Sequence, residues 1–176
     1  MRKTVAEKKV LRMGHPILQK TAQNVEEFGT AALSQLLTDL EDTMKVEGGV
    51  GIAAPQIGVS LRVVVFGFKT NARYPDAPPV PFTVLINPKI EFVGDEIEDG
   101  WEGCLSVPGM RGILPRHRRL KYSGYSEKGV FFEKYAEDFH ARVIQHECDH
   151  LDGILYPMRI KNLRSFGYTE ELEASC

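Results

Sequence analysis

At 176 residues, with 22 Lys and Arg against 24 Asp and Glu and a formal net charge of −2, the chain suits one domain able to bury about 70% of its unfolded surface. That balance provides no overall field for nucleic acid or an anionic membrane, which leaves a small or peptidic ligand as the expected partner. The basic start Met1 to Lys9 lacks an apolar run of signal-peptide length, and no later stretch reaches the roughly eighteen apolar residues needed to span a bilayer. The expected location is therefore the cytoplasm. Three cysteines, Cys104, Cys148 and Cys176, have no disulfide-framework spacing and suit a reducing compartment.

In chain order, Gly14-His15-Pro16 is a turn in which His15 carries no assigned role. Leu33, Leu36, Leu37, Leu40 and Met44 recur at helical spacing, predicting an amphipathic helix over Thr30 to Glu47 that stops at Gly48-Gly49. Gly49 to Gly58 is rich in small residues around Gln56. It lacks the lysine and the strand-glycine-helix setting of a phosphate loop. Strands are expected over Leu61 to Phe68, Thr83 to Ile86 and Ile90 to Val93, the last two divided by Asn87-Pro88, with the four prolines of Asn71 to Pro81 marking a loop. Trp101 to Gly109 reads as a tight irregular segment, and Arg116 to Lys121 as a solvated strand and turn. Leu120 to Tyr125 and Val130 to Tyr135 read as a hairpin about Ser126 to Gly129, and a helix is expected from about Ala136 to about Leu151. The sum is an α+β fold: one catalytic domain over 1–176, core about 10–160 and tail 161–176, with short, mostly antiparallel strands around a central buried helix.

That helix carries His146-Glu147-Cys148-Asp149-His150, an HExxH pattern. Four residues advance a helix by about 400° and roughly 6 Å, so both imidazoles lie on one face and can bind the same divalent ion. Glu147, about 100° round from His146, leans over the edge of that face, within reach of a water beside the ion. Phe139, Val143, Leu151 and Ile154 continue the face as apolar surface, so it points into a core or pocket.

A catalytic site needs a third ligand. Cys148, about 200° round the helix from His146, faces away as a small buried hydrophobe. Tyr156 stands where the extended metzincin pattern has its third histidine, and Glu170 sits in what reads as a solvated terminal helix. Cys104 lies in Trp101-Glu102-Gly103-Cys104-Leu105-Ser106-Val107-Pro108-Gly109, whose glycines and proline suit delivery of one side chain to a fixed point; alone it reads as an ordinary buried cysteine, and joined to HExxH and the Gly49 loop it is the favoured donor.

Three segments then resemble the signatures of the peptide deformylases of bacterial type: Gly49-Val-Gly51-Ile-Ala53-Ala54-Pro-Gln56, Glu102-Gly-Cys104-Leu-Ser106 and Gln145-His146-Glu147-Cys-Asp149-His150. The resemblance implies removal of the formyl group from N-formylmethionyl peptides and nascent chains. Cys104, His146 and His150 would hold one divalent metal, Fe2+ as in many relatives, with Zn2+, Ni2+ or Co2+ as alternatives. Glu147 would carry the proton, and Gln56 and the Leu105 N–H would stabilise the oxyanion. Val50, Phe139 and Val143 would line the methionine pocket, Gly51 would leave space, and Gly103 and Arg111 would complete the substrate contacts, with Glu102 and Arg111 paired behind them. The acidic end, Tyr168 to Cys176, departs from the basic terminal helix of some bacterial members, so a ribosome contact does not carry over. Two other classes keep part of the pattern: a general HExxH zinc endopeptidase, and a His2Cys copper carrier, which has no use for the base at Glu147.

Overall fold

The computed structural model describes residues 7–174, so Cys176 and the residues before Glu7 lie outside the described part. The first long element is helix α1, Ala31–Val46. Thr30 caps it by accepting a hydrogen bond from the Leu33 N–H at 3.2 Å. Gly48 ends it at φ 64°, a backbone state that costs a side-chain-bearing residue free energy.

Eight strands and two further helices follow: β1 (Gly51–Ala53), β2 (Val63–Phe68), β3 (Val80–Phe92), β4 (Ile97–Cys104), β5 (Val107–His117), β6 (Arg119–Tyr125), β7 (Phe131–Glu137), α2 (Asp138–Leu151), β8 (Phe166–Tyr168) and α3 (Thr169–Glu173). They build a five-stranded sheet in the order β1-β2-β3-β6-β7 and a three-stranded sheet in the order β4-β5-β8, every pair antiparallel. Mixed α and β structure with antiparallel sheets is thus what the chain adopts.

The two long helices cover opposite faces of the larger sheet, which explains the unbroken apolar run of β2. Side chains alternate across a strand, so Val63 and Val65 pack with Leu36, Leu40 and Met44 of α1, while Val64 and Phe66 pack with Ile144, Cys148 and Leu151 of α2. A strand buried on both sides reads as continuous hydrophobicity instead of alternation. A third cluster, with Cys104, Leu114, Leu155 and Tyr156, joins the smaller sheet to the chain beyond α2. Among the described residues no helix is long and apolar enough to cross a membrane.

Four expectations need correction. Thr83 to Ile86 and Ile90 to Val93 are halves of one strand, β3; Asn87, at φ 51°, makes a bulge between them and fastens it by hydrogen bonds to both backbone groups of Val25 at 2.9 Å. Trp101 to Gly109 is strand for most of its length: it is the tip of the β4–β5 hairpin, where Cys104 pairs with Val107 across Leu105 and Ser106, and its irregularity is confined to the register shift next to Cys104. Arg116 is no solvated residue, since only 5% of it is exposed. Ala136 belongs to β7, paired with Leu120, and α2 begins two residues later at Asp138.

Candidate metal centre

Helix α2 and the tip of the β4–β5 hairpin meet at one point. One ligand atom from each of Cys104, His146 and His150 lies within 4.8 Å of the others, the only such grouping of His, Cys, Asp and Glu among the described residues. Cys104 Sγ stands 3.4 Å from His150 Nε2, and the two imidazoles, one helical turn apart, meet edge to face with centroids 5.0 Å apart. The thiol is carried at the tip of the hairpin, where the register shifts between Gly103 and Cys104. A cysteine sulfur and two imidazoles converging on one point, with no fourth donor grouped with them among the described residues, suit a divalent transition metal that keeps an open position. The other three candidates lie elsewhere. Cys148 packs in the core against the sheet, its thiol pushed well up by burial; Glu170 is exposed on α3; and Tyr156 lies buried beneath His146, ring on ring at 6.2 Å.

Behind His146 stands a buried ion network centred on Glu102. Its carboxylate accepts from Arg116 Nε at 2.8 Å and Nη2 at 2.9 Å and from Arg142 Nη1 at 3.0 Å, and it lies 2.8 Å from His146 Nδ1. Burial alone would raise the Glu102 carboxyl, but the hydrogen bonds from Arg116 and His146 outweigh it and hold the group well below the usual carboxylate range. Arg116 also reaches Asp149 at 2.6 Å, and Asp149 in turn holds Arg159. With Nδ1 engaged by Glu102, the His146 ring is fixed so that Nε2 faces the thiol. The expected Glu102–Arg111 pair does not form. Arg111 points outward, bonded to Glu173 at 3.0 Å and lying 4.4 Å over the Trp101 ring, in a groove next to the metal pocket.

Glu147 is the opposite case. It is 3% exposed, no cation pairs with it, and its Oε2 has no hydrogen-bond partner. Burial pushes its pKa up to about 7. Gly51 faces it so closely that a Cβ there would sit 2.6 Å from Glu147 Cδ, so the backbone of β1 can pass only as glycine. Gln56 is anchored by its Oε1, which accepts from the Ala53 N–H at 2.8 Å, and its Nε2 donates to Ser106 Oγ at 3.1 Å while facing Cys104 Sγ at 3.6 Å. Leu105, in the hairpin turn, lines the same cavity, and so do Val50, Phe139 and Val143, which form its apolar side.

Residues the sequence reading passed over also stand here. Arg142 lies one turn before His146, a spacing that places it on the ligand face and could have marked it. Tyr74, from the proline-rich loop, lines the cavity with its hydroxyl on the Gly103 N–H at 3.1 Å; no periodicity or spacing in that loop signals it.

A family model described as polypeptide deformylase matches residues 7–166. The chain is 58% identical over 163 residues to peptide deformylase 2 of Ralstonia nicotianae, covering 93% of this chain and 92% of that one. It is 59% identical over 163 residues to peptide deformylase 1 of Bordetella pertussis, covering 93% of each. In three dimensions it resembles the crystal structure of a class I type b peptide deformylase from Acinetobacter baumannii with Met-Ala-Ser bound, at a TM-score of 0.86 and 40% identity over 89% of this chain and 100% of that one.

Proposed function

The chain belongs to the polypeptide deformylase family and is a hydrolase that removes the N-formyl group from nascent polypeptides, and we propose that Glu147 moves the proton in that reaction beside a metal held by Cys104, His146 and His150. The observation that carries this reading is the pairing of a three-donor cluster with a buried, unpartnered carboxylate in one cavity. A general endopeptidase has no support among the relatives.

A divalent ion held by Cys104, His146 and His150 would supply Lewis acidity, enough to bring the ionisation of water near neutral pH and to draw charge from a formyl oxygen. Glu147, ionised near neutrality, takes the proton from the attacking water and returns it to the amine nitrogen as the C–N bond breaks, leaving formate and a free N-terminus. Gln56 Nε2 and the Leu105 N–H donate to the oxyanion of the tetrahedral intermediate. Gln56 needs no reorganisation for this, because Ala53 fixes its other end. Val50, Phe139 and Val143 hold the methionine side chain, and Gly103 and Arg111 line the way along which the rest of the peptide leaves. Glu102 keeps His146 aligned and takes no part in proton transfer, since its charge is locked by Arg116 and Arg142.

We assign Fe2+ as the resident ion, with Zn2+, Ni2+ and Co2+ as ions the same donors accept. Residues 7–174 act as one catalytic unit, and the cytoplasm, where nascent chains arise, is its place. Near the end of the described residues β8 pairs with β5, and the helix after it is acidic, unlike the basic terminal helix of some bacterial members. The deciding experiment measures formate release from a formyl-methionyl peptide by anaerobically prepared protein whose metal has been assayed. Release at one equivalent per peptide, without internal cleavage of longer peptides, is the expected result; internal cleavage would return the endopeptidase.

A further inference from the structure

The loop between β2 and β3 contributes one side chain to the reaction cavity. Tyr74, half-buried, donates its ring to the wall that faces Phe139, with centroids 4.9 Å apart, and Phe139 in turn meets Phe68 edge-on at 5.9 Å. Its hydroxyl accepts from the Gly103 N–H at 3.1 Å, so the ring is tied both to α2 and to the outer edge of β4. The loop itself is moored. Asn71 Nδ2 donates to the Gly48 carbonyl at 3.1 Å and Arg73 Nη2 to the Glu47 carbonyl at 3.0 Å, both at the end of α1. The cavity and the outer groove of Trp101 and Arg111 share Tyr74 as a lining residue, together with Arg73 and the strand end from Glu102 to Leu105. Of these shared residues Tyr74 alone is aromatic, and its ring is the one that packs on Phe139. The rest of the apolar lining is aliphatic, from Val50, Leu105 and Val143.

Resting on the deformylase reading above, we propose that Tyr74 is a specificity-determining residue: it closes the outer wall of the pocket for the first side chain, and its hydroxyl bond to the Gly103 N–H holds that wall in place. A long, unbranched side chain then meets the apolar surface of Tyr74, Phe139, Val50 and Val143, whereas a bulky ring meets the tyrosine. Removing the wall takes contacts from methionine and lifts the size limit for phenylalanine. Discrimination by an apolar wall is worth about 10-fold or more for a group of this size.

The test compares formyl-Met-Ala-Ser, formyl-Ala-Ala-Ser and formyl-Phe-Ala-Ser as substrates, together with Kd values for the same three peptides without the formyl group. In Tyr74→Ala, with metal content unchanged, the Met-to-Ala ratio of kcat/KM should fall about 10-fold and the Phe-to-Met ratio should rise. The Kd ratios should move in the same directions. Tyr74→Phe, which keeps the ring and loses the bond to Gly103, should lie between the parent and Tyr74→Ala. Tyr74→Trp should narrow the pocket and shift preference toward Ala, which decides the matter should Tyr74→Ala fold poorly. Ratios within about twofold of the parent in Tyr74→Ala and Tyr74→Trp, against the 10-fold expected, would overturn the assignment. If the parent released no formate from any peptide, the deformylase reading would fail, while the Kd ratios would still judge Tyr74.

Discussion

The two walls of the metal site each bury a glutamate, and they treat it in opposite ways. Glu102 and Glu147 are both 3% exposed. On the inner wall Glu102 has Arg116, Arg142 and His146 as partners and is held as a permanent anion; on the outer wall Glu147 has no cation, and burial lifts it to about 7. Burial sets the same penalty on both, so the neighbours alone decide which group keeps its charge. Under the proposed function, the difference separates two jobs that one carboxylate could not do together. A group that aligns a ligand must not change its charge, whereas a group that carries a proton must do so near working pH.

The largest effect should come from the wall without partners. Glu147→Gln keeps shape and hydrogen bonding but cannot exchange a proton, so kcat should fall by about 10⁴, the upper end for general acid–base catalysis, because one group serves both transfers. Metal content should stay at the parent level, as Glu147 is not among the three donors. A full metal load with kcat within a few-fold of the parent would mean that the two walls do not differ in the way described.

The inner wall should answer in stability instead. Arg116→Leu leaves Glu102 and Asp149 buried with a central cation gone, a change that costs about 3–5 kcal/mol when one partner of a buried pair is removed. His146 loses its fixed orientation as well, so metal affinity should drop by about 10–100-fold. Denaturant unfolding and metal titration measure the two effects. A loss under about 1 kcal/mol, as for an exposed pair, would show that the network carries no structural charge.

The two walls also differ in how far the sequence discloses them. The position of Glu147 is legible because it follows from a local rule, its place next to His146 on one helix, whereas Cys104 becomes the favoured donor only when its segment is read together with HExxH and the Gly49 loop. Arg116 is not legible. It sits in a run with His117, Arg118 and Arg119, and of these arginines only Arg116 turns inward, to partners on β4 and α2 that come near it only in the folded chain. The β4–β5 hairpin was hidden for a related reason: Gly100, Gly103, Pro108, Gly109 and Pro115 interrupt its alternation, and what makes it regular is the pairing between its strands. Asn87-Pro88 looked like a break because the hydrogen bonds that make it a bulge go to Val25, far back in the chain. Helix α1 and the β6–β7 hairpin, by contrast, stood out because period and turn residues agree within a few positions.

The smallest effect, and the one that tests the electrostatic origin of the contrast directly, is the pH dependence of stability in metal-free protein. Glu147 has a folded pKa of about 7 against 4.5 for an unburied glutamate, so between those values the folded chain holds the proton more tightly than the unfolded chain. Stability falls with rising pH wherever the native state binds more protons. The penalty is therefore absent below about 4.5, grows through the interval and is complete above about 7. A shift of this size corresponds at most to about 3 kcal/mol, and water entering the metal-free cavity reduces it to about 1–2 kcal/mol. Glu147→Gln has no such titration. Unfolding of the two chelated proteins at pH 5 and pH 8 should thus show the variant gaining on the parent at the higher pH, so the substitution that abolishes turnover stabilises the fold. A difference between variant and parent that stays constant from pH 5 to pH 8 would mean that Glu147 is already ionised at the lower pH, and that the outer wall solvates its carboxylate as well as the inner wall pairs its own.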